Sequence, residues 1–433
     1  MMTYLHIATE PTEKNFGGPD CATIQMQNIP TKPTEKNLGG PDCATGQMQN
    51  IPTEPTEKNL GEFSVREILK RGLDCATAQL QNIPTLWDRL ACETRPIFLY
   101  GTGNGGDKIL DVCAARNIPV TGVFASDGFV RSRSFRDMPV RAYGDVVSEY
   151  GEDIVVLLAF GTTLRSVADF IDQLDKRHTL YIPEVPLYGG GLFDDAMFRE
   201  VAEPLAKLRE RLADEHSRLL LDDAVLFRLT GEKRYLSRTT EPETDIAELY
   251  GEKNIRTMVD GGAFKGDSAA LYAGALPTLT TIHAAEADAR TFRHLSAYAE
   301  NETRCHVIPH HGALWDTDGE LSYTSSASRG SGNAGQNHRA KVVTVPSMTI
   351  DTLCRDIDID LIKLDVEGAE EKALRGAVET LDRCRPAMAV SLYHRTEDLW
   401  TLPLWLHDRL PEKRLYLRRP DCIPFWDLTL FLV

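Results

Sequence analysis

Two carboxylates, Asp365 and Glu367, stand two positions apart at the end of the apolar run Leu361-Ile-Lys-Leu364. The run reads as a buried strand, so both acids emerge at its carboxyl end. Carboxylates left unpaired in a cleft are costly, so these should meet a cation, a polar substrate or the amino acid group of a cofactor. Capping of the following helix, which starts at Gly368, is the structural alternative. A further strand, Pro386 to Ser391, runs into Tyr393-His394-Arg395. A histidine at a strand's carboxyl end, beside strand-end acids, is a candidate general base. A structural histidine bonded within its loop is the alternative. Asp365 is the second candidate for the base, and also the one residue that could bridge a divalent ion to an acceptor diol.

These groups need something to act on. Met258-Val-Asp-Gly-Gly-Ala-Phe-Lys-Gly-Asp-Ser268 follows a short apolar strand and leads into a helical run, Ser268 to Leu276. Its glycines, Gly261, Gly262 and Gly266, allow close approach of backbone to a ligand. The helix start behind them aims free N–H groups at the same place. A second strand, Thr280 to Glu286, ends in an acid. Glu286 lies near the ~20-residue offset at which a strand-end carboxylate reaches a ribose diol. Together these residues read as a nucleoside site at the carboxyl ends of parallel strands. The strand Cys305 to Pro309 follows, and the backbone of the loop after it could read an adenine edge. Residues 317–340, rich in Ser, Gly and Asn, read as a loop that could cover a substrate.

A second unit of the same kind lies upstream. Ile97-Phe-Leu-Tyr100 reads as a strand, Gly101-Thr-Gly103-Asn-Gly-Gly106 as a Gly-x-Gly-x-x-Gly turn, and Asp107 to Arg116 as a helix. The next strand, Pro119 to Phe124, ends near Asp127. Gly101, Gly103, Gly106 and Asp127 thus form a candidate second nucleotide site. A module serving assembly alone is the alternative, and a dehydrogenase is a third reading of this turn. Strands at 153–159 and 179–182 continue the alternation expected of a parallel sheet covered on both faces. This unit resembles the N-terminal domain of sugar-nucleotide-modifying acyltransferases and the Rossmann-like module that precedes some methyltransferases.

The stretches Val-Asp-Gly-Gly-Ala-Phe-Lys-Gly-Asp-Ser, the Glu286 strand end, Ile-Asp-Leu-Ile-Lys-Leu-Asp-Val-Glu-Gly-Ala-Glu and Ser-Leu-Tyr-His-Arg together resemble FkbM-type methyltransferases over roughly residues 255–432. The resemblance implies a class I methyltransferase sheet whose final hairpin is antiparallel, S-adenosyl-L-methionine as methyl donor, and O-methylation of sugar or polyketide-type hydroxyls. It implies cofactor contacts for Asp260, Gly261, Gly262, Gly266, Asp267, Glu286 and Ala313. Glu286 would hold the ribose hydroxyls and Ala313 would border the adenine. Asp365, Glu367 and His394 would form the catalytic group. Two departures from the family pattern stand out: no proline follows Glu286, and the 317–340 stretch is longer.

The chain has 433 residues, 42% of them apolar, and a net charge of −16. That is long enough for two or three domains, with apolar residues sufficient for real cores. The acidity argues against a nucleic-acid partner. No apolar run reaches the ~18 residues of a membrane span, and the first residues do not read as a secretory signal. The 9 cysteines include no Cys-x-x-Cys pair and read as reduced thiols of a cytoplasmic protein. Pro-Thr-Glu-Lys-Asn recurs at Pro11, Pro33 and Pro55, a period of about 22 residues too poor in large apolar side chains for a solenoid. The expected organisation is a disordered repeat tail at 1–60, leader helices and a Rossmann-like domain at 61–191, a helical linker at 192–250 and a methyltransferase domain at 251–433. The expected function is methyl transfer to a small-molecule or glycan hydroxyl. A non-catalytic nucleotide-sensing scaffold is the alternative, and a homo-oligomer is compatible with either.

Overall fold

The computed structural model describes residues 65–70, 85–128, 130, 134–186, 188–325 and 341–433. The repeats at 1–60 and the Ser-Gly-rich residues 326–340 lie outside these.

Strands of unbroken apolar residues make the centre of the first sheet. β1 (Ile97–Tyr100) and β5 (Val155–Leu158) are buried at every position, each large side chain gaining ~1.5–3 kcal/mol on leaving water. They pair in parallel and are flanked by β2 (Gly122–Ala125), β4 (Met138–Ala142) and β6 (Thr179–Tyr181), with β3 (Ser134–Phe135) antiparallel at the edge. The order is β3-β4-β2-β1-β5-β6. The edge pair β3 and β4 has no counterpart in the sequence reading, because its residues alternate too briefly to show a period.

The second sheet is built from β7 (Thr257–Gly261), β8 (Thr281–Glu286), β9 (His306–His311), β13 (Leu361–Leu364), β14 (Ala387–Ser391), β15 (Leu415–Arg418) and β16 (Thr429–Leu432). Their order is β15-β16-β14-β13-β7-β8-β9. All neighbours are parallel except β16, which runs antiparallel to both β14 and β15. The expected closing hairpin is therefore present. A small third sheet contains β10 (Ala313–Leu314), β11 (Gly319–Ser325) and β12 (Lys341–Met348). Residues 319–325, expected as loop, pair as a strand with 341–347. The Ser and Thr there fit a solvated antiparallel ribbon, which needs no apolar run.

Between the sheets lie helices Asp195–Arg211 and Glu215–Thr230. The second is buried at every position from Leu220 to Thr230, so it is a core element shared by both halves. Its acids, Asp222 and Asp223, are neutralised by Arg66, Arg209 and Arg238. Arg66 belongs to the helical turn at 65–70, whose Val65, Ile68 and Leu69 are fully buried. The halves also join directly. Thr162 and Ile423 exchange backbone hydrogen bonds of 2.7 and 3.1 Å. Arg228 donates to Thr396 O at 2.7 Å, and Thr396 Oγ1 donates to Gly191 O at 2.8 Å.

Candidate functional site

Lys363 interrupts an otherwise apolar strand, and its register explains why. It sits opposite Asp260 on β7, and its Nζ lies 3.0 Å from Asp260 Oδ1. Both side chains are buried. Nζ also donates to Gly261 O and Gly262 O at 3.2 and 3.1 Å, and Ser268 Oγ donates to Asp260 Oδ2 at 2.6 Å. Asp260 and Lys363 therefore clamp the glycine turn from beneath. Gly262, at φ +71°, has no room for a side chain: a Cβ there would lie 1.9 Å from Asp365 O. Gly266, at φ +96°, lies against the Tyr298 ring. Both glycines give close approach, here to the protein's own atoms.

The helix behind the turn is Asp267–Ala275, and its N-cap Gly266 has no side-chain cap. Asp267 Oδ1 is buried there and accepts no hydrogen bond from the described residues. At the end of β8, Glu286 folds back on the turn. Its Oε2 accepts from Phe264 N at 3.1 Å and its Oε1 from Asp288 N at 2.7 Å. Burial pushes this carboxyl up to about 7. Gly312 N donates to Glu286 O at 3.0 Å, which sets Ala313 next to the same strand end. The structure thus brings together Asp260, Gly261, Gly262, Gly266, Asp267, Glu286 and Ala313. The Asp260 carboxylate, spent on Lys363 and Ser268, holds the turn rather than facing outward.

The second group adjoins the first. Asp365 N donates to Gly261 O at 3.1 Å, and Asp365 Oδ1 accepts from Tyr393 Oη at 2.9 Å. His394 is buried, with Nδ1 2.8 Å from Glu370 Oε1 and Nε2 3.6 Å from both Asp365 Oδ1 and Glu367 Oε2. Burial alone would lower the imidazole, but Glu370, Asp365 and Glu367 outweigh it and raise it to about 9. Burial alone would raise Asp365, but Lys363 and His394 hold it below the ordinary carboxylate value. Two more acids close the group. Asp398 is pushed up to about 7 by burial and Glu370, and Asp427 to about 6 by burial and Asp365. Asp365, Glu370 and His394 offer ligand atoms within 4.8 Å of one another.

Of these residues, Lys363, Glu370, Asp398 and Asp427 are absent from the sequence-based set. Lys363 had a legible signal, a lone cation inside an apolar strand. Glu370 lies on the helix Glu370–Arg375, where helical acids usually face solvent. Asp427 follows a cis Ile423–Pro424 bond in a loop with no recognisable pattern.

The upstream turn is built differently. Gly101 lies beside the Phe160 ring, Gly105 against Ala159 O, and Gly106 between Leu99 and Phe135. Asp127 is exposed, and its Oδ1 accepts from Gly144 N at 3.1 Å, at the start of helix Tyr143–Tyr150.

Residues 260–418 match the methyltransferase FkbM domain family. The crystal structure of methyltransferase FkbM from Methylobacillus flagellatus KT aligns with a TM-score of 0.60 at 20% identity, covering 86% of this chain and 100% of that one. It shows that the fold extends to both halves. An rRNA methylase from Streptococcus thermophilus aligns at 13% identity and a TM-score of 0.29, over 45% of this chain and 96% of that one. Aeropyrum pernix fibrillarin in complex with S-adenosyl-L-methionine aligns at 15% and 0.27, over 44% and 74%. These last two likenesses are too slight to carry an argument. No curated protein matches.

Proposed function

From an FkbM methyltransferase domain at residues 260–418, whose family draws its methyl group from S-adenosyl-L-methionine, we propose that this protein O-methylates a sugar-like or glycan hydroxyl. One observation supports this reading most. A half-buried strand-end carboxylate, Glu286, is held at a glycine turn, and that turn touches the acid–histidine group through Gly262 and Asp365. A donor site and a proton-handling site are thus contiguous.

The residues fit the methyl donor. Glu286 suits a ribose diol, and the buried, unpaired Asp267 Oδ1 suits an ammonium or hydroxyl donor. When bound, the cofactor supplies an electrophilic methyl on a sulfonium, so that a C–O bond forms as the C–S bond breaks. The chain must then orient the acceptor and take its proton. Orientation is worth up to ~7–11 kcal/mol in the best cases. His394 is the base in its neutral form. Glu370 on Nδ1 fixes the ring and leaves Nε2 toward Asp365 and Glu367. Asp365 and Glu367 bind neighbouring acceptor hydroxyls and stabilise the imidazolium once the proton has moved.

A second reading has a divalent ion held by Asp365, Glu370 and His394. The buried Glu370 Oε2, without a hydrogen-bond partner among the described residues, favours it. Loss of turnover in EDTA, restored by Mg²⁺ or Mn²⁺, would select that reading. The test of the whole proposal is calorimetry with S-adenosyl-L-methionine, followed by a methyl-donor assay against a panel of glycans and nucleotide-sugars. Folded protein that does not bind the donor would end it, and a scaffold role would remain.

A further inference from the structure

A cleft opens over His394, and half of its wall comes from the other domain. Tyr393, His394, Thr396 and Trp426 line one side, and Glu184 and Tyr188 the other. Tyr188 is 43% exposed, and its ring stands edge-on to His394 at 5.4 Å. Gly368, at φ +88°, lets it come this close, since a Cβ there would lie 3.1 Å from Tyr188 Cβ. Trp426 rests on Gly161, where any Cβ would enter the indole.

Glu184 is the charged group of this wall, while the Tyr188 hydroxyl is engaged by Glu367. Arg228 Nε holds its Oε1 at 3.1 Å. Arg228 is itself immobilised, donating to Thr396 O and lying over the Phe193 ring. Glu184 Oε2 is buried and has no hydrogen-bond partner among the described residues. A buried acceptor left unpaired costs free energy that a ligand's donor would recover. Apolar rings with one carboxylate between them suit a pyranose, whose C–H faces are apolar and whose hydroxyls donate.

We propose that the N-terminal domain supplies half of the acceptor site: Glu184 accepts hydrogen bonds from the hydroxyls of a pyranoside placed against Tyr188 and Trp426, and so sets which hydroxyl faces His394. The inference rests on the O-methyltransferase reading for the role of His394. It assigns the acceptor as a neutral sugar ring and makes Glu184 and Tyr188 its specificity determinants.

The test uses the full chain with S-adenosyl-L-methionine and three probes, the methyl α-glycosides of glucose, mannose and rhamnose at millimolar concentration. Binding is read by saturation-transfer NMR, and donor affinity by calorimetry on the same samples. At least one glycoside should bind. Glu184→Gln, which keeps the shape and a partner for Arg228, should weaken it about tenfold or more. Tyr188→Ala, at an exposed position, should weaken it similarly. Neither variant should move donor affinity more than about twofold, since both lie outside the Glu286 turn. Glycoside binding unchanged in both variants would overturn the proposal, as would wild-type protein that binds the donor but none of the three sugars. Failure of the donor to bind would strike the methyltransferase reading instead.

Discussion

The two halves of this molecule carry the same local device, an apolar strand, a glycine turn and a helix, and differ in what surrounds it. At Gly261–Gly266 the turn sits on a buried Lys363–Asp260 pair and faces Glu286 and Asp267. At Gly101–Gly106 it is packed by Phe160, Leu99 and Phe135, and its strand-end acid is exposed and occupied in holding a helix start. Glycines at a turn therefore report that something comes close, not what it is. Buried charge is what separates the two. It is expensive in a low-dielectric interior and persists at the first turn, in a cluster continuous with the acid–histidine group.

Breaking that charge should have the largest effect. Lys363→Met leaves Asp260 buried without its partner and should cost about 3–5 kcal/mol of stability in chemical denaturation. Charge removal at the upstream turn, Asp127→Asn, should cost below ~1 kcal/mol, in the range of an exposed helix cap. Equal losses would mean that buried charge does not distinguish the two turns.

His394→Gln should lower turnover by about 10²–10⁴-fold with little change in donor affinity. Because the imidazole is raised to about 9, its neutral form grows as pH rises. Turnover should therefore climb about tenfold per unit toward pH 9, and the slope should vanish in the variant. The linked stability has the opposite sense. A histidine raised above its unfolded value of 6.5 contributes fully below that pH and loses its contribution as pH rises through about 9. A turnover profile flat from pH 6 to 9 would transfer the role of base to Asp365.

Glu286→Gln should weaken donor binding by about 10–100-fold, the worth of hydrogen bonds to a charged group, while Asp127→Asn leaves it unchanged. The smallest effect concerns pH. With Glu286 near 7, its ionised fraction falls about tenfold from pH 8 to pH 6. Donor affinity measured by calorimetry should fall by up to that factor over the same range. In the free protein the raised carboxyl binds a proton more tightly than in the unfolded chain. Its contribution to stability is therefore lost as pH rises from about 4.5 to 7. A pH-independent affinity would place Glu286 outside the donor site.

Much of the fold could be read from the residues. β1 was legible to its end residues because four apolar side chains in a row, bounded by Pro96 and Gly101, suit only a central strand. The antiparallel closing strand was legible for a similar reason. The shared helix Glu215–Thr230 was not read as core, since its Asp222 and Asp223 look like a solvated face until Arg66, Arg209 and Arg238 are seen to meet them. The same holds for Glu370 and Asp427. A carboxylate's burial depends on partners far away along the chain, and no periodicity marks them.

By itself the sequence determined two parallel sheets, the glycine turn at 261–266, and the strand-end groups Glu286, Asp365 and His394. Those follow from apolar runs and turn residues, which act over a few positions. Only the tertiary structure decided that Asp260 faces inward to Lys363, that His394 carries Glu370 behind it, and that Glu184 and Tyr188 of the first domain stand across from His394. The first two are pairings of buried polar groups from different elements. Each exists because desolvation makes an unpaired charge costly, and the partner that relieves it is chosen by packing rather than by neighbours in the chain.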